Sequence, residues 1–413
     1  MSAGRSSPAP EDSSEGATVS SRDVCVVGVG MTPFTRPSAG VRYEDIGMRA
    51  VREALADARI AYSDVQQAYA GYLYAESCAG QCVIYGVGMT GIPVFNVNNA
   101  CASGSSAIFL ARQAIAAGVA DCVLAVGFEQ MVPGALGLIY PDRTPPAERF
   151  FKALHKIQPV DLDNVPTAQL FGSAAREHMA KYGTKPETFG KITVKAREHA
   201  ARNPHAVFRD KLTLEQVMAS QPVFEPLTRY QCCPPTTGAA AAVLCSESYA
   251  KTYGLDRSVK ILAQSLKTDF PSAFESSSGM RLVGYDMAKA AAQEVYESTG
   301  LGPEDADVVE LHDCFTANEL IAYEALGLTP EGTAEKFIED GDNTYGGQCV
   351  VNPSGGLLSK GHPIGATGLA QCAELVWQLR GQAEDRQVEN ARIGLQHNLG
   401  IGGACVVTLY QRQ

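Results

Sequence analysis

The sequence contains no apolar run of about eighteen residues, so no part of it reads as a membrane-spanning helix. It carries no basic surplus. Its 45 acidic residues against 34 lysines and arginines leave a net charge of −11, which argues against a general nucleic-acid footprint. Its twelve cysteines form no C-x-x-C pair, and Cys25, Cys122, Cys245 and Cys405 sit in apolar, strand-like runs. That is a pattern of buried thiols in a reducing compartment, and neither a disulfide framework nor a metal site is expected. Residues 1–22 lack the apolar centre of a signal peptide and hold seven serines, which reads as a disordered tail. The final Gln411-Arg412-Gln413 is unlike a Ser-Lys-Leu peroxisomal signal, so the cytoplasm is the default location.

What the chain does have is length. Its 413 residues, 45% hydrophobic, suffice for one large unit or two to three domains. An apolar run, Ile92-Pro93-Val94-Phe95, leads into Asn98-Asn99-Ala100-Cys101-Ala102-Ser103-Gly104, and an apolar segment over 107–117 leads out. The order reads as strand, tight turn and buried helix, with Cys101 where the helix begins. Unpaired N–H groups and the macrodipole at a helix N-terminus favour negative charge. A thiol there is expected to have its pKa drawn from roughly 8.5 into about 3.5–7.5. A lone cysteine is more often a core residue, so the weight falls on what accompanies it.

Strand and helix alternate twice. Strands are expected at 24–29, 68–74 and 121–127, with a helix over 43–59 whose Ile46, Ala50, Ala54, Leu55 and Ala58 share a face. Later in the chain, strands are expected at 259–263, 308–311, 393–396 and 404–410, and helices over 286–299 and 366–379. The reading is an α/β protein of two halves with mostly buried sheets, 23–130 (closing near 231–250) and 246–413. Between them, 131–245 breaks the alternation and reads as an inserted loop domain. From Arg149 to Lys211 it holds twelve lysines and arginines against six acidic residues, a net of +6. Such a run suits either a solvated face or a lid over a polyanionic ligand, such as the phosphates of a nucleotide-bearing cofactor.

Three further stretches are unlike ordinary core. His312-Asp313-Cys314-Phe315 follows directly on an apolar strand, and residues i and i+2 there can point the same way. Lys360-Gly361-His362-Pro363-Ile364-Gly365-Ala366-Thr367-Gly368 fixes a histidine between glycines and a proline ahead of a helix. Asn398-Leu399-Gly400-Ile401-Gly402-Gly403-Ala404 is a glycine loop whose bare N–H groups could stabilise an oxyanion. Singly, each has a structural explanation. Together they supply a thiol nucleophile, a base, a second thiol and an oxyanion hole, the parts of acyl transfer through a covalent thioester.

On these motifs the chain, from about Val24 to Tyr410, resembles the sterol carrier protein X type of 3-oxoacyl-CoA thiolase in the thiolase superfamily. Most thiolases carry Asn-Glu-Ala-Phe where this chain has His312-Asp313-Cys314-Phe315. They place a second cysteine in the C-terminal glycine loop, at the position of Gly400 here. The resemblance implies two βαβαβαββ halves in a five-layer α-β-α-β-α sandwich, with the inserted loop domain binding coenzyme A and the chain forming a homodimer or homotetramer. It implies Cys101 as the acyl-accepting nucleophile and His362 as the group that takes its proton and later helps hold the thioester oxygen. His312 would set a donor or water in the oxyanion hole for the enolate, and Cys314 would be the acid/base. The N–H groups of Cys101 and Gly402 would complete an oxyanion hole for the tetrahedral intermediate. Coenzyme A would be a co-substrate, acyl-CoA the substrate, and no cofactor would be permanently bound. In a eukaryote, the resemblance points to the peroxisome.

Degradative thiolysis of 3-oxoacyl-CoA, with 2-methyl-branched and sterol side-chain substrates tolerated, is the leading expectation. A biosynthetic condensing enzyme of the same fold leaves Cys314 without a role, and a lipid carrier rests on the family name. A thiolase-like aldolase of steroid side chains is disfavoured by the intact pair of cysteines.

Overall fold

The computed structural model describes residues 22–132, 140, 142–161 and 165–413. The tail expected over 1–22 lies outside the described residues, apart from Arg22. That residue is part of the fold: its guanidinium meets Asp121 at 2.7 Å and the carbonyls of Ile115 and Ala120.

The first half begins with strand β1 (Val24–Met31), buried at all eight positions. Helix α1 (Tyr43–Ala58) follows. It buries Ile46, Ala50, Ala54, Leu55 and Ala58 and carries Glu44 and Asp45 in its first turn, where acids complement the macrodipole. Strands β2 (Gln67–Gly71) and β3 (Val94–Val97) come next, then helix α2 (Ser103–Ala116) and strand β4 (Cys122–Glu129). After the insertion, which contains helices α3 (Pro166–Tyr182) and α4 (Pro186–Ala200), strand β5 (Gly238–Ser246) returns between β1 and β4. Residues 238–245 therefore belong to the first half's sheet.

The second half repeats the plan. It runs through strand β6 (Val259–Lys267), helix α5 (Tyr285–Thr299), strand β7 (Val308–Glu310), helix α6 (Thr316–Ala325) and strand β8 (Val350–Val351). Helix α7 (Thr367–Arg380) and strands β9 (Ile393–Gly400) and β10 (Ala404–Arg412) complete it. The strand order is β8-β7-β9-β10-β6-β1-β5-β4-β2-β3. Read from its outer edge, each half runs third, second, fourth, fifth, first, so the alternation seen twice in the sequence is a structural duplication. Among the described residues, the sheets of the two halves are joined where β1 meets β6, through Val24 opposite Ile261 and Cys25 opposite Lys260.

Three apolar clusters define the layers. Helix α1 covers the outer face of the first half through Ala50, Ala54 and Val51 against Val27, Val126 and Val243. Between the two halves lie α2 and α7, with Ala107, Ile108, Ala111 and Ile115 against Leu369, Ala373 and Val376. Helices α5 and α6 and the insertion cover the outer face of the second half. This is the five-layer α/β sandwich that the motifs imply.

The insertion docks on the second half by charge as well as by apolar packing. Lys181 meets Glu331 at 2.9 Å, Lys185 meets Glu335 at 3.4 Å, and Lys191 meets Glu339 at 3.1 Å. Lys195 is buried against Glu319 and Tyr323 of α6. Four members of the basic run between Arg149 and Lys211 thus serve intramolecular contacts. The surplus left for a ligand is correspondingly smaller.

Candidate active site

The duplication places two turns in equivalent positions, each between the third strand of its half and a central helix. One carries Cys101 and the other His362. The cysteine turn is pinned by its own polar residues. Ser103 Oγ accepts from Asn99 N–H at 2.9 Å and donates to the Ala100 carbonyl at 2.7 Å, while Asn98 Oδ1 accepts from Ala100 N–H at 3.1 Å. Ala100 is held at φ 49°, a left-handed conformation that costs an alanine about 1–2 kcal/mol. The helix starts at Ser103 with Ala102 as its cap, so Cys101 stands two residues ahead of it.

In the histidine turn, Thr367 Oγ1 donates to the Pro363 carbonyl at 3.0 Å and lies 2.7 Å from His362 Nδ1. Its hydroxyl proton being committed, Thr367 accepts from Nδ1–H, and the lone pair of His362 is on Nε2. That atom is buried and has no partner among the described residues. Lys360 is turned away from the pocket to a buried Glu310 at 3.4 Å.

His312 and Cys314 leave the end of β7. His312 Nδ1 lies 3.1 Å from Asn398 Nδ2, and the rings of His312 and His362 meet edge to face with centroids 5.1 Å apart. One ligand atom each from Cys101, His312 and His362 lie within 4.8 Å of one another. Asp313 accepts from Leu357 N–H at 2.7 Å and Leu358 N–H at 3.3 Å, which ties this segment to the one leading into the histidine turn. Cys314 is buried, and its thiol feels those of both Cys233 and Cys101. Phe315 stacks on Phe171 of α3 at 4.8 Å, bringing the insertion over the pocket.

Strand β9 continues through Gly400, so the expected glycine loop is only residues 401–403, the turn of the β9–β10 hairpin. Gly402 and Gly403 take φ values of 116° and 102° that favour glycine. The N–H groups that act on the Cys101 sulfur are its own and that of Ile401, the neighbour of Gly402.

Two residues of the site lie outside every motif of the sequence. Glu129, at the end of β4, accepts from the N–H groups of Leu73 at 3.0 Å, Tyr74 at 2.8 Å and Gly365 at 3.0 Å, which joins the histidine turn to the first half. Its burial pushes its pKa up to about 7. A charged residue closing an apolar strand was the available clue. Cys233 donates its N–H to the Cys314 carbonyl at 2.9 Å, and nothing in Gln231-Cys232-Cys233-Pro234 marks it.

The thiol of Cys101 departs from the low pKa expected of a helix N-terminus. Burial first and the Glu129 carboxylate second push it up to about 12, against the smaller pull of the two N–H groups. Burial holds His362 down at about 3, and His312 is held well below the usual imidazole range by burial and by His362 and His397. At neutral pH the resting pair is a protonated thiol beside a neutral imidazole whose buried Nε2 has no partner among the described residues.

Removing the Glu129 charge therefore lowers the thiol pKa. Glu129→Gln is expected to speed iodoacetamide alkylation of Cys101 at slightly alkaline pH, read by mass spectrometry of the Cys101 peptide. An unchanged or slower rate would contradict the electrostatic role given to Glu129.

Known proteins match over the same span. The thiolase N-terminal domain profile covers residues 24–248 and the thiolase C-terminal domain-like profile covers 272–410. The chain is 56% identical over 395 residues to human sterol carrier protein 2, covering 94% of this chain and 72% of the human one. It is 36% identical to an acetyl-CoA acetyltransferase of Methanothermobacter thermautotrophicus, over 95% of this chain and all of the other. Among solved structures, an Ltp2-ChsH2(DUF35) aldolase superposes with a TM-score of 0.80 at 25% identity, over 94% of this chain and 98% of that one. With the N-terminal domain profile alone covering more than half of the chain and the C-terminal one covering most of the rest, the chain belongs to the thiolase family.

Proposed function

We propose that this protein cleaves 3-oxoacyl-CoA with coenzyme A, giving acetyl- or propionyl-CoA and a shortened acyl-CoA. The convergence of Cys101, His312 and His362 within 4.8 Å, with the Cys314 thiol in electrostatic reach, carries this reading. His362 Nε2 takes the Cys101 proton as the sulfur attacks the 3-oxo carbon. As the bond between C2 and C3 breaks, His312 stabilises the enolate oxygen and Cys314 delivers its proton to C2. The shortened acyl group stays on Cys101 as a thioester. Cys314 then takes the proton of the incoming coenzyme A thiol, whose sulfur attacks the thioester. Collapse expels Cys101, which recovers its proton from His362. The N–H groups at Cys101 and at the 401–403 turn, Gly402 included, are suited to hold the tetrahedral oxyanion. One such donor is typically worth about 2.7–4 kcal/mol of barrier.

For coenzyme A, the insertion and the second half together offer a cleft of about 630 Å³ lined by Ser173, Arg176, Phe224 and Ser277. Arg176 stacks over Phe224 at 4.8 Å and is suited to a phosphate. A second copy of the chain is the proposed partner. Strand β3 is a sheet edge that carries the exposed Phe95, and Tyr85 and Met89 ahead of it in the chain are exposed as well, Met89 at 77%. Sedimentation velocity should find a dimer that Phe95→Asp weakens, and a monomeric wild-type chain would sink this assignment.

The catalytic assignment is tested by separating the two half-reactions. Cys101→Ala should abolish both acyl-enzyme and turnover. Cys314→Ala should still be acylated by an activated thioester yet lose carbon–carbon cleavage. Arg176→Ala should raise KM for coenzyme A with kcat little changed. Cleavage at the wild-type rate in Cys314→Ala would overturn the acid/base role.

A further inference from the structure

Among the described residues, one group of metal-capable side chains converges, and it is Cys101, His312 and His362. The nitrogens free to bind a ligand are the two Nε2 atoms. His362 Nδ1 is held by Thr367 Oγ1 at 2.7 Å, which leaves Nε2 buried and unpartnered. His312 Nδ1 faces the Asn398 amide nitrogen at 3.1 Å, while Asn398 Oδ1 is buried without a partner. Turning that amide lets His312 Nδ1 donate to Oδ1 and moves the imidazole lone pair to Nε2. We propose that these three side chains also form a binding site for a divalent cation of the Zn²⁺ class. The ligands would be Cys101 Sγ, His312 Nε2 and His362 Nε2, the fourth position would be open to water, and occupancy would block the nucleophile.

The donor set is that of zinc, which takes thiolate at about 2.3 Å and imidazole at about 2.0–2.1 Å in tetrahedral geometry. Those bond lengths place the ligand atoms roughly 3.5 Å apart. Atoms now within 4.8 Å have only a short distance to close. Each histidine already has the outer hydrogen-bond partner that orients a metal ligand, Thr367 for one and Asn398 for the other. Binding replaces the S–H bond of Cys101 by an S–metal bond and releases one proton to the buffer. The Glu129 charge, which opposes a bare thiolate, favours a cation at the same place. The bound metal would occupy both the sulfur and the base that acylation needs, so acyl group and metal exclude each other.

Binding needs no turnover, so its test stands apart from the thiolase assignment. Co²⁺ is titrated into the full-length chain as a spectroscopic probe. Expected are one equivalent bound, a thiolate-to-cobalt charge-transfer band, one proton released per metal, and displacement by Zn²⁺. The band should vanish in Cys101→Ser and persist in Cys233→Ser, with near-ultraviolet circular dichroism confirming that both variants fold. His362→Ala should weaken binding by more than ~10-fold. Zn²⁺ should protect Cys101 from carboxamidomethylation. The absence of a charge-transfer band at equimolar Co²⁺, its survival in Cys101→Ser, or alkylation unaffected by Zn²⁺ would each overturn the proposal.

Discussion

The site depends on how closely two backbones approach. A Cβ at Gly127 would stand 2.3 Å from the Gly365 carbonyl oxygen, and one at Gly104 would stand 2.7 Å from the same atom. A Cβ at Gly365 itself would meet the backbone of Gly71, Tyr72 and Phe128 at 2.5–2.6 Å. Only glycine at these positions lets the histidine turn of the second half lie against β4 and α2 of the first. Glu129 then fastens it through Gly365 N–H at 3.0 Å. Cys101 and His362 come from chain segments 261 residues apart, and this contact is what makes them neighbours. Positioning of this kind supplies much of the advantage of a bound over a dissolved catalyst.

Burial then sets the protonation states. A site this dry penalises every lone charge, so thiol and imidazoles rest neutral and charge is created only as the reaction proceeds. The acidic residues around it are anchors. Asp313 accepts two N–H groups of the segment before the histidine turn, and Glu129 accepts three. The same neutrality leaves the nitrogen and sulfur lone pairs available to whatever enters the pocket.

Much of this was legible in the sequence. Continuous apolar runs locate β1 and β4, and helical patterns locate α1, α5 and α7, to within a few residues, because the strands are buried throughout and the helices bury apolar stretches. The Cys101, His312 and His362 motifs stand out because glycine, proline and histidine cluster where core packing does not call for them. Other features depended on tertiary contact. The lysines 181, 185 and 191 resemble an anion site until Glu331, Glu335 and Glu339 are seen opposite them. The raised thiol pKa comes from burial and from Glu129, neither of which is adjacent in sequence. Cys233 reaches the pocket only because residues 232–235 run between the segment after β7 and the histidine turn, pairing with Phe315 and His362.

The central claim is that His362, brought from the other half of the duplication, is the base for Cys101. Its most direct test is single-turnover acylation of Cys101 by a 3-oxoacyl-CoA, followed by mass spectrometry in wild type and His362→Ala. Loss of general-base assistance predicts acylation slower by about 10²–10⁴-fold, with the acyl group still on Cys101. Acylation of His362→Ala at the wild-type rate would contradict the account.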